Sequence, residues 1–95
     1  LEGTPRSVDL DEVRRHLSGL PEVIAVHDLH AWTLTSELPA LTAHVVVTDA
    51  CLRDGSAGVV LDHLQRCLTD HFDVEHSTFQ LEAASHAAHE PGTHD

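Results

Sequence analysis

Ten of the 95 residues are histidine, where average composition supplies about two. A neutral imidazole carries one free nitrogen lone pair. Imidazole nitrogens and carboxylate oxygens are donors that zinc takes at about 2.0 to 2.2 Å, usually four to an ion in a tetrahedron. His27-Asp28-Leu29-His30 holds two imidazoles and a carboxylate within four positions, and the segment from His76 to Glu82 begins and ends on a donor. Between them, His44 interrupts an apolar run. No H-E-x-x-H or C-x-x-C pair is present to set a metal geometry locally, so the fold has to gather these groups.

The elements that would do so are legible from periodicity. After a lead-in over residues 1 to 8, Asp9 and Glu12 have the spacing of a capping box, and Leu10, Val13, Leu17 and Leu20 recur at helical spacing up to Pro21. This predicts a helix over about 9 to 19. From Val23 the pattern turns β-like through Leu34, Ser36-Glu37-Leu38-Pro39 reads as a turn, and Leu41 to Thr48 alternates Ala43, Val45 and Val47 against Thr42, His44 and Val46. The two strands are expected to form an antiparallel hairpin. Arg53-Asp54-Gly55-Ser56 leads out of it, with Ser56 as the N-cap of a second helix whose apolar stripe is Val60, Leu61, Leu64, Cys67, Leu68 and Phe72. A third strand follows from Val74 to about Glu82.

The order α-β-β-α-β, with a single apolar stripe on each helix, predicts an α+β ferredoxin-like sandwich: three strands, with two helices on one face and the other face open. Alternation turns His44 to the open face, together with His76, Thr78, Gln80 and Glu82 of strand three. The crossover rule is taken to set strand three beside strand one. Strand one would then be central, and His27, His44 and Glu82 could converge. Its own parity is undecided, since both sides begin apolar; a bulge would let His27 and His30 reach one site. For Asp28 two roles stand open, accepting an imidazole N–H or binding the ion directly.

The remaining candidates are weaker. His16, His63 and His71 fall on helices and read as solvated or as partners of a helix C-terminus. Cys67 reads as a buried reduced thiol and Cys51 as an incidental loop residue. Trp32 reads as a packing residue, in the core or at a dimer interface. Residues 83–95 read as a flexible tail in which His86 and His89 could complete a second site.

Composition narrows the function. Sixteen Asp and Glu against five Lys and Arg give a net charge of −11, which repels nucleic acid and attracts cations. Only two cysteines occur, which suits a reducing compartment, and no apolar run reaches the ~18 residues of a membrane helix. A zinc with an open position could activate water, but a nearly flat sheet without long loops favours binding over catalysis. A metal carrier of this fold would need a C-x-x-C loop. A small domain with an open sheet face has reason to pair with a copy of itself.

The run Val26-His27-Asp28-Leu29-His30-Ala31-Trp32-Thr33-Leu34-Thr35, then Leu41-Thr42-Ala43-His44-Val45, then Val74 to Glu82, resembles the C-terminal domain of the cation diffusion facilitators, in particular the zinc, cobalt and cadmium resistance branch. The likeness extends from Leu1 to Glu82, which makes 1–82 the expected domain. It implies a metallochaperone-like fold, a homodimer on the cytoplasmic side of the membrane, and a membrane domain of the same transporter, absent from this chain, that exchanges divalent cations for protons. It also implies His27, His44, His76 and Glu82 as cytoplasmic ligands for Zn2+ or similar ions (Co2+, Cd2+). Neutralisation of these ligands and the surrounding carboxylates of two acidic protomers by bound metal is expected to favour a closed dimer. Some members place a further His at the Gln80 position and Asp at the Glu82 position. The alternative is a soluble small-molecule- or metal-binding regulatory module of ferredoxin-like fold.

Overall fold

A computed structural model of the chain describes residues 8–33 and 39–88. The predicted turn at 36–38, the lead-in over 1–7, and His89 and His94 lie outside the described residues.

Helix α1 (Leu10–Ser18) starts where Asp9 accepts the N–H groups of Asp11 at 3.0 Å and Glu12 at 3.4 Å, relieving donors that a helix start leaves unpaired. Its buried residues are Val13 and Leu17. Strands β1 (Val23–Thr33) and β2 (Pro39–Val47) form the expected antiparallel hairpin. A short helix α2 (Asp49–Arg53) follows, capped by the Thr48 hydroxyl on the Cys51 N–H at 3.2 Å, then α3 (Ala57–Phe72), β3 (His76–Ala83) and a last turn of helix, α4 (Ala84–Ala88).

The core is aliphatic. Val13 and Leu17 of α1 and Val60, Leu64 and Leu68 of α3 pack on Leu41, Ala43, Val45 and Val47 of β2, so both helices cover one face of the sheet. Phe79 and Leu81 are half-buried against this cluster, as their alternation predicts.

Four details differ from the sequence reading. First, β2 is the central strand: the order is β1-β2-β3, with β3 parallel to β2. The α3 crossover returns the chain beside the strand it left, as a β-α-β unit does, while β1 occupies the other edge. Second, Cys51 is buried in the core through α2 rather than sitting in a loop. Third, Trp32 is 40% exposed and pairs with Ala40 on the sheet face away from the helices. It is therefore not a core residue. Fourth, the Ser56 side chain makes no cap bond to α3; its hydroxyl turns back to the Asp54 carboxylate and the Cys51 carbonyl. Gly55 at φ 84° makes that reversal, a conformation that glycine adopts without a Cβ penalty.

Within the segment read as a tail, Ala84–Ala88 is helical, and the Ser85 N–H donates to the Asp49 carboxylate at 3.1 Å. The Ser85 hydroxyl, and then this N–H, hold the Asp49 carboxyl below its ordinary pKa, and the bond ties the start of α4 to the start of α2.

Candidate metal centre

The face of the sheet left free by the helices carries four cross-strand rows, read from the register: Ala25, Val46 and Glu82; His27, His44 and Gln80; His30, Thr42 and Thr78; Trp32, Ala40 and His76. Residues paired across neighbouring strands point to the same face. His27, His30 and His44 therefore share one side with Gln80 and Glu82.

What brings both His27 and His30 to that side is a bulge. Between them β1 spends three steps where β2 spends two, from His44 to Thr42. The extra residue is accommodated at Asp28, whose φ is 51°. Asp is among the few L-residues that enter this left-handed region readily. In a regular strand His27 and His30 would lie on opposite faces.

The bulge also delivers Asp28 itself. His44 Nδ1 stands 3.0 Å from Glu82 Oε2 and 3.5 Å from Asp28 Oδ2. Gln80 Nε2 donates to the same Glu82 oxygen at 3.1 Å. Glu82 is only 7% exposed, the single charged residue that is buried among the described residues, and a buried carboxylate is tolerated only with such partners. Asp28 and His44 border it with about a third of their surface open. A depression of about 430 Å³ opens over Asp28, His30, Thr42, His44, Thr78 and Gln80.

Asp28, His44 and Glu82 supply one nitrogen and two oxygens, all zinc donor types. Two donors about 2.0 to 2.1 Å from a tetrahedral ion are separated by about 3.3 Å, which the observed 3.0 and 3.5 Å bracket. The trio meets pairwise through His44. Among the described residues no three His, Cys, Asp or Glu side chains stand as a ready cage, so an ion bound here would have to draw the side chains inward.

His76 is not brought to this cluster. It pairs with Ala40, four residues before Gln80 on β3, or about 13 Å at the rise of a strand. There it borders a separate depression with Trp32, Glu75 and Ser77. Of the six candidate donors, Asp28, His44 and Glu82 are in contact, His27 pairs with His44 across the strands, His30 lies one row further, and His76 stands apart. The role of Gln80 in holding Glu82 was not read from the sequence; its signal is the i, i+2 spacing that puts both on one face. On the helical side His63 pairs with Glu22 at 3.4 Å, one of whose oxygens is buried without a hydrogen-bond partner.

Comparison with known proteins agrees with this architecture. Residues 5–84 match the family described as the cytoplasmic domain of cation efflux proteins. The metal cation efflux system protein CzcD of Cupriavidus metallidurans is 44% identical over 84 residues, covering 88% of this chain and 26% of that protein. The zinc transporter ZitB of Escherichia coli is 40% identical over 83 residues, covering 86% and 25%. The metal-bound C-terminal domain of the CzcD transporter superposes with a TM-score of 0.70 at 41% identity, over 79% of this chain and 99% of that domain. The chain spans about a quarter of the length of these curated relatives. It belongs to the family of cation efflux protein cytoplasmic domains.

Proposed function

We propose that the open sheet face is a regulatory site for a zinc-like divalent cation, held by His44, Glu82 and Asp28 with an imidazole from β1, His27 or His30. The bound ion favours a closed homodimer of this domain beneath the membrane part of a divalent cation/proton antiporter. The observation that carries this reading is the contact of His44 Nδ1 with two carboxylates, one of them buried. Two anions around one imidazole form a site whose negative charge a cation neutralises. The relatives support the class of cargo: zinc for ZitB, metal cations for CzcD.

Regulation follows from energetics. An ion bound equally well by open and closed dimers shifts nothing, and only donors recruited on closure change the population. The three donors are not yet closed around a common point, so their convergence is the step that metal can drive. No substrate is transformed in this scheme, and no catalytic residue is assigned. His76 takes no part in the site as proposed.

Zinc titration of the 95-residue chain followed at the histidine ring nitrogens tests the assignment residue by residue. The expected result is a shift of the His44 resonances with zinc, and a fall of at least tenfold in affinity at this site in His44→Ala. His44 resonances unmoved at saturating zinc would overturn it.

A further inference from the structure

On the opposite side of the domain, α1 and α3 enclose a groove of about 720 Å³ that the sheet-face reading leaves unused. Its walls carry His16 and Glu12 from α1, and Cys67, Asp70 and His71 from α3. Cys67 and His71 are four residues apart and so project from one face of α3. His16 and His71 face each other across the groove with ring centroids 5.0 Å apart and planes tilted by 42°. Two imidazoles bound through one nitrogen each to a tetrahedral ion, at about 2.0 to 2.1 Å, hold their centroids about 5 Å apart. Phe72 packs edge-on to His16 at 5.1 Å, which limits where that imidazole can swing.

We propose that this groove is a second metal-ion site, with His16, Cys67 and His71 as nitrogen, sulfur and nitrogen donors to a borderline or soft divalent cation. The sulfur sets the class: a thiolate with two imidazoles suits zinc, cadmium or cobalt and discriminates against magnesium and calcium. Cys67 forms no disulfide. Its thiol is pushed above its ordinary pKa by burial and then by Asp70, so an ion has to displace the proton to solvent, as thiolate coordination requires. The two rings face each other across the groove, and their nitrogens and the thiol have to turn to a common point, since no three donors among the described residues close on one point as they stand. Of the charged residues lining the groove, Arg15 is paired with Glu12, and Arg66 offsets Asp70. An ion here would tie α1 to α3 without competing for the sheet-face donors.

Cobalt titration of the 95-residue chain carrying His44→Ala, which disables the sheet-face site, isolates the groove. The expected result is bound cobalt with a thiolate-to-metal charge-transfer absorption. That band is lost in Cys67→Ser, and affinity falls at least tenfold in His71→Ala. His16→Gln, which keeps a polar side chain beside Phe72, has the same effect, and circular dichroism confirms that each variant is folded. His76→Ala, on the sheet and away from the groove, leaves binding unchanged. Absence of the thiolate band, or equal affinity before and after the His16 and His71 substitutions, would overturn the proposal. Neither result depends on the sheet-face reading, whose own failure appears at the His44 resonances of the unsubstituted chain.

Discussion

His44 of the central strand reaches diagonally across to the buried Glu82 of β3, with 3.0 Å between imidazole Nδ1 and carboxylate Oε2. The register places Gln80, not Glu82, opposite His44, and Gln80 holds the same carboxylate oxygen from the other side. Glu82 is thus flanked by the Gln80 amide and the His44 imidazole before any ion arrives. Glu82→Gln keeps the shape and removes the charge. Its expected effect is a loss of at least tenfold in zinc affinity at the sheet face with the fold intact, whereas His63→Ala leaves that affinity unchanged. Calorimetry combined with the His44 ring signals checks both, and equal effects from the two substitutions would contradict the site.

Asp28 gives a second prediction, because its backbone is left-handed at φ 51°. Asp28→Gly retains the bulge and removes a donor, so zinc binding weakens while stability holds. Asp28→Val puts a β-branched residue into that conformation and is expected to cost about 1 to 2 kcal/mol. Urea midpoints of the two variants are the measurement. If Gly and Val destabilise equally, backbone conformation is not what selects Asp at this position.

These residues also mark where the sequence was readable and where it was not. β2 could be read because its buried and open faces alternate cleanly, Ala43, Val45 and Val47 against Thr42, His44 and Val46. β1 could not, because its register shifts twice, between Val23 and Ala25 and between His27 and His30, and each shift exchanges the faces. The parity that left His27 and His30 on opposite sides was physically correct for a regular strand; the left-handed residue at Asp28 removes the conflict. Strand order was misassigned because the apolar pattern of β3 fixes which face it buries but not which neighbour it joins. The distance of His76 from His44 follows from register, which no residue pattern in β3 states. Helix α2 is only five residues long, too short for periodicity to announce, so Cys51 looked like part of a loop.

Proton competition supplies the third prediction. Imidazoles must be neutral to bind metal and have unperturbed pKa values near 6.5, whereas carboxylates lie near 4. With His44 and one imidazole of β1 as ligands, zinc affinity is expected to fall by more than tenfold per pH unit below about pH 6, with protons released on binding. Titrations at pH 7.5, 6.5 and 5.5 in buffers of different ionisation enthalpy measure this. Flat affinity without proton release would assign the ion to carboxylates alone.

Association is the fourth. Trp32 is the only tryptophan, lies on the open face and is 40% exposed, which makes it a reporter for contact between two copies. Sedimentation at tens of micromolar is expected to show a dimer, and zinc to shift the Trp32 emission. A monomer with and without zinc, with unchanged emission, would contradict the closed-dimer reading.

The central claim is that an ion draws His44 and its two neighbouring carboxylates together, and a zinc-bound crystal structure with anomalous scattering measured at the metal edge tests it most directly. The predicted result is a peak about 2.0 to 2.2 Å from His44 Nδ1 and from oxygens of Glu82 and Asp28, with an imidazole of β1 completing the set. Full zinc occupancy elsewhere on the protein, with His44 Nδ1 still beside Glu82 Oε2, would contradict it.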